Sequence, residues 1–487
     1  MEDNIKKKTK IGMIWNTLEK FSVQIVSFVI GIILARLLTA DDYGTLGLLT
    51  VFLTISTVFI DSGFSKGLIQ KIDRTEEDFS TTLIFNVIVS IILYIILFFT
   101  APVIANFFKK PELVSLSRAL FLVIILTSLS VVQSAILQIK VDFRKIAIIN
   151  LSSTIISGVA GIISAYKGIG VWALVIQSIV KQVVSTILYW IVGHWIPKTG
   201  FYFSSFIKLF KYVSNLLITG IVSTIISTVN NLVIGKLYKP DQLGYYTRAE
   251  QFPQLTSGTL TSVLQTTTFP LLANYQRSKD ELLGIFKRVV HVTCLLVFPA
   301  MIGLAICSRT IIVVLLTEKW VTSADYLFWL TLSYIFAPLQ ILNLNLLNAI
   351  GRSDLNLKLD LLKCPFIIIC MAITLPINLR AVVIGRFAAC FIYCFIDCYM
   401  TGKMYKFGMF KQLISSWKAI ISSIMMAVVL EFINKVFIHE TIIKLIILLL
   451  SGVTIYLGCL FVLKEEEIRI IQNKIILKNH TNQEKNE

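Results

Sequence analysis

The stretch ARLLTADDYG at residues 35–44 has a counterpart two hundred residues later, GKLYKPDQLG at residues 235–244. Both copies have a small residue, a basic residue and Leu, followed at the same spacing by Asp and Gly. Each copy lies where one long apolar run ends and the next approaches. A junction repeated in this way indicates a chain built from two related halves.

The composition indicates a membrane protein. The 487 residues are 56% hydrophobic and 15% charged, with a mean hydropathy of +0.80, whereas soluble domains are about a quarter charged. Apolar runs of about 20 residues recur, each long enough to cross roughly 30 Å of hydrocarbon. They lack the weak alternation of a membrane β-barrel. We therefore predict an all-α polytopic membrane protein.

About 14 transmembrane helices are predicted, and the basic residues orient them. If the N-terminus is cytoplasmic, the cytoplasmic turns and both tails hold about 29 Lys and Arg residues and the outer turns about 11, as the positive-inside rule requires. Residues 1–10 are polar and precede an uncleaved first helix. The spans lie near residues 13–37, 44–66, 81–105, 114–138, 146–167, 170–192, 210–235, 252–274, 286–308, 326–349, 361–378, 381–401, 415–434 and 442–463.

The repeat predicts how these helices are grouped. Six helices separate the two copies, and because six is even, the halves have the same orientation, related by an axis along the membrane normal. The predicted parts are an N-terminal lobe of helices 1–6 (1–195), a cytoplasmic linker (196–209), a C-terminal lobe of helices 7–12 (210–402), two extra helices (403–465) and a polar cytoplasmic tail (466–487).

Several function classes are disfavoured. The net charge of +17 is explained by basic cytoplasmic loops, and no stretch is large enough for a nucleic-acid reader domain. Metal-ligand clusters, Gly-rich phosphate loops and nucleophile elbows are absent from the sequence. Cys390, Cys394 and Cys398 share a helical face without a histidine, which favours packing over ligation. We predict a protein that is not an enzyme and has no cofactor or metal site.

A series of short motifs runs in order from about residue 10 to residue 410. Besides the first copy of the repeat, they are Asp61-Ser62-Gly63-Phe64, Gly168-Ile169-Gly170-Val171-Trp172-Ala173-Leu174, Gly244-Tyr245-Tyr246, Thr268-Phe269-Pro270, Glu318-Lys319-Trp320 and Gly351-Arg352-Ser353-Asp354. Their order and spacing resemble the Wzx-type polysaccharide flippases of the multidrug/oligosaccharidyl-lipid/polysaccharide (MOP) exporter superfamily. Residues after 410 match that family little.

This resemblance implies two six-helix lobes facing a central cavity, in a transporter that works by alternating access. The implied substrate is an undecaprenyl-diphosphate-linked oligosaccharide, flipped from the inner to the outer leaflet of the bacterial inner membrane. The implied pathways are O-antigen, capsule or exopolysaccharide biosynthesis. Contact with other polysaccharide-assembly proteins is left open.

Flipping breaks no bond but needs a polar path for the sugar and the diphosphate. Ionisable residues inside spans usually face an interior, so they are the first candidates to line the cavity. Lys181 is the leading one because it lies about 11 residues from either end of its span. Glu19 and Lys20 are further candidates, although Lys20 could instead snorkel to the inner surface. Arg386 either contacts the substrate or pairs with a neighbouring helix.

Amide and acidic side chains complete the set of candidates. Asn230 and Asn231 hydrogen-bond either the sugar or other helices. Asp61 and Asp397 are candidates for coupling transport to a Na⁺ or H⁺ gradient. The alternative for Asp61 is an ion pair with a nearby lysine, and for Asp397 an ion pair with a neighbouring helix. The sequence does not choose among energy sources.

Two other functions are weighed against flipping. A cation-coupled multidrug exporter of the same superfamily would favour acidic residues in its cavity. The intramembrane charges here are mainly basic, and they are Lys20, Arg36, Arg118, Lys181 and Arg386. A membrane-embedded glycan polymerase or ligase is opposed by the short outer loops.

The repeated stretch itself is interpreted as structural. Arg36 and Lys236 are predicted to be interfacial anchors at the outer ends of helices one and seven. Gly44 and Gly244 are expected to permit a tight reversal of the chain after them.

Overall fold

The architecture is taken from a computed structural model, which describes residues 2–60, 64–71, 73–276 and 278–465. The ion-coupling candidate Asp61 and the predicted polar tail, residues 466–487, lie outside the described residues. The described chain consists of helices and turns without a β-strand. It divides into two compact units, Met1–Thr247 and Arg248–Glu487.

The first unit contains nine helices among its described residues and the first turns of a tenth. They are α1 (Glu2–Leu37), α2 (Ala40–Ile60), α3 (Lys66–Gln70), α4 (Glu76–Phe108), α5 (Leu113–Leu120), α6 (Leu122–Ile139), α7 (Phe143–Tyr166), α8 (Trp172–Gly193), α9 (Phe203–Leu237) and α10 (Pro240–Asn274).

The second unit begins within α10 and continues through the remaining helices. They are α11 (Lys279–Ile306), α12 (Ser308–Leu316), α13 (Thr322–Tyr334), α14 (Ala337–Ala349), α15 (Ser353–Thr374), α16 (Leu379–Tyr405), α17 (Met409–Ser415), α18 (Trp417–Val436) and α19 (Ile442–Val462), with a 3₁₀ turn at Glu318–Trp320.

Where the structure describes them, the predicted spans coincide with a helix or a pair of helices, so the all-α polytopic fold is confirmed. Among the described residues, 11 helical segments have the length and hydropathy needed to cross a membrane. The predicted spans outside this set are α9, α10 and α15, so the number 14 stays a prediction. In α15 the apolar sequence is interrupted by Lys358, Asp360 and Lys363.

Two predicted spans are each formed by two helices in the structure. The span near 326–349 is divided into α13 and α14, and Pro338 lies in the first turn of α14, where its missing N–H leaves no hydrogen bond unmade. The span near 114–138 is α5 and α6, which join at Phe121. Composition and length alone do not distinguish one long helix from two stacked ones.

Helices α1, α7 and α8 pack as one layer in the first unit. Ile30 and Leu34 of α1 belong to a buried cluster with Ala165 of α7 and Leu174 of α8. Gly158 of α7 lies at this contact, where a methyl group would lie 2.1 Å from the end of the Ile30 side chain and would force Ile30 to shift. This packing fixes the faces that α1, α7 and α8 present to the rest of the unit.

The chain after α8 is held against the beginning of α4. The Trp195 indole Nε1 donates to Glu76 Oε1 at 2.7 Å, and Gln133 Nε2 donates to the Trp195 carbonyl at 2.6 Å. The Tyr202 amide donates to Thr81 Oγ1 at 3.0 Å. These bonds hold the segment that leads into α9 at the end of the unit where α4 begins.

The two copies of the repeated stretch lie directly against each other. A methyl group at Gly44 would lie 1.7 Å from the carbonyl oxygen of Pro240, and one at Gly244 would lie 1.8 Å from that of Ala40. The contacts are reciprocal, so each copy places its glycine on the first turn of the other helix. Both copies therefore lie at the same end of the unit, as repeats of the same orientation require.

The expected role of these glycines was wrong. Gly44 and Gly244 lie inside α2 and α10, whereas the chain reverses before them, at residues 38–39 and 238–239. Glycine is needed because any side chain would collide with the opposite backbone, and no turn depends on it. The repeated glycine is a helix-crossing residue.

Charged residues of the two repeat copies bind neighbouring helices at the end of the unit where the copies meet. Asp41 Oδ2 lies 2.6 Å from Lys110 Nζ, and the amide and hydroxyl of Thr39 both donate to Asp42 at the start of α2. Lys236 Nζ donates to the Phe107 carbonyl at 2.5 Å and lies 3.7 Å from the centre of its ring. α2 and α9 are thus both attached to the junction between α4 and α5.

Candidate substrate-binding site

Lys181 lies on a polar face in the middle of α8. Gln177, Ser178 and Ser185 are three or four positions away and therefore share its face. The strongly exposed Ile187 points in a different direction. The Lys181 side chain is itself exposed, and in the described part of the chain no carboxylate lies within ion-pair distance of it. This arrangement is consistent with the predicted cavity lining, which for Lys181 stays a prediction.

Hydrogen bonds to α6 fix the rotation of α8. Gln182 Nε2 donates to Ser130 Oγ at 3.3 Å, and Trp190 Nε1 donates to the Leu129 carbonyl at 2.9 Å. These bonds hold α8 beside α6, so the orientation of Lys181 is set by the packing of its own helix.

A hydrogen-bonded group joins α1, α7 and α8 nearer the end of α8. Asn150 Nδ2 donates to Glu19 Oε1 at 2.6 Å, and the Tyr189 hydroxyl donates to Asn150 Oδ1 at 3.4 Å. Tyr189 follows Lys181 by eight residues, or about 12 Å along the helix axis. Through Asn150, Glu19 is therefore connected to the helix that carries Lys181, but at a different depth. Lys20, the next residue after Glu19, is exposed.

Arg386 is paired in the second unit. Its Nη1 lies 2.5 Å from Glu250 Oε1, and its Nη2 donates to the Tyr334 hydroxyl at 3.2 Å. The group connects α10, α13 and α16 and is only partly buried. Of the two alternatives raised for Arg386, the ion pair with a neighbouring helix is present, and a substrate role stays a prediction.

Asp397 is fully buried and also has an ion-pair partner. Its Oδ1 lies 2.6 Å from Lys363 Nζ on α15, and the same ammonium group lies 3.0 Å from Asp360 Oδ1. Ion-pair formation, the alternative raised for Asp397, is therefore what the structure contains. A role in ion coupling stays a prediction.

The remaining candidates are two neighbouring asparagines on α9. Asn230 and Asn231 are half-buried on α9, which packs on α2 and α4. In the described ranges no group of His, Cys, Asp or Glu is suited to a metal ion. Sequence reasoning missed the partner residues Asn150, Tyr189, Glu250, Tyr334 and Lys363. Glu250 and Lys363 could have been proposed as partners because their charges are opposite to those of Arg386 and Asp397. The sequence does not show, however, which helices lie close enough for such pairs to form.

The comparison with known families matches the model of polysaccharide biosynthesis proteins to residues 33–325, more than half of the chain. The chain belongs to this family. Among its relatives is the teichuronic acid biosynthesis protein TuaB of Bacillus subtilis (strain 168), 26% identical over 354 residues, covering 72% of this chain and 73% of TuaB. Another is the lipopolysaccharide biosynthesis protein WzxC of Escherichia coli (strain K12), 22% identical over 362 residues and 74% of each chain.

The fold of this polysaccharide biosynthesis protein is shared with solved transporter structures. The lipid II flippase MurJ, in an inward closed conformation, matches with a TM-score of 0.76 at 17% identity, covering 93% of this chain and 100% of MurJ. An inward-facing MATE transporter of the MOP superfamily matches with a TM-score of 0.60 at 15% identity, covering 80% of this chain and 98% of the transporter. The family match, the named relatives and the shared fold together confirm the resemblance inferred from the motifs.

Proposed function

We propose that this polysaccharide biosynthesis protein flips a lipid-linked oligosaccharide, carried on undecaprenyl diphosphate, from the inner to the outer leaflet of the bacterial cytoplasmic membrane. The observation that carries the proposal is Lys181, which lies on a polar face in mid-span and has no ion-pair partner among the described residues. A family whose relatives are named for glycan biosynthesis and a fold shared with a lipid II flippase support the same substrate class.

The proposed mechanism needs no covalent step. A cation inside the membrane attracts the diphosphate, whose charge would otherwise keep it out of the hydrocarbon. Hydroxyl and amide groups such as Ser178 and Gln177, which are partly exposed, would receive the glycan while the prenyl chain stays in lipid. Alternating access of the two lobes would then release the headgroup on the outer side, with both termini remaining cytoplasmic.

The energy source belongs to the same proposal. Glu19 accepts a hydrogen bond from an amide and lies in the same unit as Lys181, whereas Asp397 is already paired with Lys363. Among the described acids, Glu19 is therefore the better choice for coupling to Na⁺ or H⁺. Asp61, outside the described residues, remains a second choice.

A multidrug exporter of the same superfamily would have the same fold, so the charge of the binding site must distinguish it from a flippase. Among the basic residues counted against a drug exporter, Arg386 is compensated by Glu250, and Arg36 lies in the last turn of its helix. An anionic substrate is therefore inferred chiefly from Lys181. A cationic drug would be repelled by it, whereas a diphosphate would be attracted.

Complementation tests the proposal. The gene would be expressed in a strain that lacks its own flippase and accumulates lipid-linked intermediates on the cytoplasmic side. We expect the intermediates to become accessible to a glycosidase added outside the inner membrane and the surface glycan to return. If the protein were present in the membrane, the intermediates stayed inside and a cationic dye were exported, the exporter alternative would replace the flippase.

A further inference from the structure

A cavity of about 650 Å³ opens where α16 ends and α17 begins, away from the polar residues described above. Lysines and aromatic rings dominate its wall. The lining residues are Phe395, Cys398, Tyr399, Gly402, Lys403, Lys406, Gly408, Met409, Phe410 and Lys411. The described lining thus contains three ammonium groups and no carboxylate.

The backbone around this cavity is tightly constrained. Lys406 ends α16 in the left-handed region, at φ 56°. The chain then turns back closely, since a methyl group at Gly402 would lie 3.1 Å from the Gly408 Cα. Buried Gln412 of α17 donates to Asn343 Oδ1 at 2.9 Å. The lysines are therefore held on a defined surface formed by two anchored helices.

The surroundings of the cavity extend its positive charge. Lys279 Nζ lies 5.6 Å from the centre of the Tyr405 ring, and Lys287 Nζ lies 5.6 Å from that of Phe407. Exposed acids are present on the first turn of α11, but the described residues that line the cavity include none of them. Basic residues therefore dominate at this end of the second unit.

Aromatic residues place the cavity at the membrane surface. Phe410 of α17 is 62% exposed and Ile414 is 67% exposed, and exposed Trp417 begins α18. A short helix with large apolar side chains on its outside, next to lysines, is typical of the boundary between headgroups and acyl chains. At such a boundary, the ammonium groups of the lysines would lie level with lipid phosphates.

We propose that this cavity binds the phosphate headgroup of an anionic phospholipid. The lysines would contact the phosphate, and Phe395, Tyr399 and Phe410 would pack along the glycerol and the upper acyl chains. On the topology set by the positive-inside rule, the lipid belongs to the cytoplasmic leaflet, which is where negative lipid charge attracts basic segments. The proposal concerns a bound membrane lipid and does not depend on which substrate is flipped.

Native mass spectrometry of the purified full chain provides the test. The probes are phosphatidylglycerol and the zwitterionic phosphatidylcholine, added to delipidated protein in detergent. We expect tight retention of about one phosphatidylglycerol and little phosphatidylcholine. The triple variant Lys403→Gln, Lys406→Gln and Lys411→Gln should reduce phosphatidylglycerol retention by about tenfold or more, because each lysine near a phosphate contributes to binding.

A matched control removes the same charge elsewhere. Lys109→Gln, Lys167→Gln and Lys239→Gln change three exposed loop lysines and should leave retention as in the wild type. A second triple variant with arginine in place of the same three lysines should keep binding, because the positive charge remains. Its binding also distinguishes loss of the site from failure to fold.

The proposal is overturned by any of three results. The first is that the triple glutamine variant retains as much phosphatidylglycerol as the wild type. The second is that the control variant loses as much phosphatidylglycerol as the triple glutamine variant. The third is that the wild type retains phosphatidylcholine as well as phosphatidylglycerol. Competition by soluble glycerol phosphate as effective as that by phosphatidylglycerol would likewise show a free-phosphate site instead of a lipid site. Flipping assays play no part in this test, so the proposed function stands or falls separately.

Discussion

The ammonium group of Lys181 lies about midway along α8, where reaching either membrane surface is difficult. Its neighbours on the same face are polar, and its helix is held by hydrogen bonds to α6. A charge kept at this depth without an ion-pair partner in the described structure is costly unless water or a ligand reaches it. At the scale of one residue, the flipping proposal therefore depends most on Lys181.

Replacing Lys181 by alanine tests that dependence. We expect Lys181→Ala to lower the rate of flipping by about tenfold or more, because a hydrogen bond to a charged group contributes about 1.5–3 kcal/mol. Lys181→Arg should retain much of the rate because the positive charge remains. The measurement is the appearance of lipid-linked oligosaccharide in the outer leaflet at matched expression. A wild-type rate in the alanine variant would remove Lys181 from the site.

Asp397 and Lys363 allow a structural role to be separated from ion coupling. Breaking a buried ion pair by removing one partner leaves an uncompensated charge and costs about 3–5 kcal/mol. Lys363→Met alone should therefore lower the thermal unfolding temperature clearly. Lys363→Met combined with Asp397→Leu should recover most of it. Unfolding can be followed by tryptophan fluorescence in detergent.

Transport assays complete the Asp397 test. If Asp397 is structural, the double variant should still flip substrate with an unchanged dependence on the Na⁺ and H⁺ gradients. Loss of that dependence in a stable double variant would instead identify Asp397 as the coupling residue.

The unusual residues could be found from the sequence, but their partners could not. Lys181, Arg386 and Asp397 stand out because each is a charge within an apolar run. Which charge meets which is decided by helix rotation and crossing. Arg386 and Glu250, for example, are separated by most of a lobe in sequence yet meet at 2.5 Å.

At the scale of helices, the two repeat copies cross with very little space between their backbones. Each glycine lies on the backbone of the other copy's first turn. The sequence showed that the junction was repeated, yet it suggested a turn glycine. A glycine inside a helix and one in a turn look alike when only spacing is known.

An alanine at position 244 tests this crossing. Its methyl group would collide with the carbonyl of Ala40, so the helices must separate, and we expect Gly244→Ala to destabilise the fold by about 1–3 kcal/mol or more. Gly258→Ala is the matched control on the same helix, because nothing lies within 4 Å of its methyl position. The control should be neutral or slightly stabilising. Equal unfolding temperatures for the two variants would contradict the crossing.

For the whole molecule, composition and periodicity sufficed to predict the all-α membrane fold, because a hydrocarbon environment allows few alternatives. The repeat predicted halves of the same orientation, and within the first unit the two copies lie against each other. Where helices are interrupted was less predictable. The breaks after Tyr334 and at Phe121 depend on packing, and apolar sequence continues through both.

The orientation of the molecule in the membrane can be tested with two single cysteines. Lys239 lies in the turn between α9 and α10, Lys198 lies in the segment after α8, and both are exposed. On the positive-inside topology, Lys239→Cys should react with a membrane-impermeant maleimide in spheroplasts, whereas Lys198→Cys should react only after the membrane is opened. Wild-type protein, whose eight cysteines are buried or half-buried, supplies the background. Labelling of Lys198→Cys in sealed spheroplasts, with Lys239→Cys protected, would invert the topology and place the proposed lipid site in the opposite leaflet.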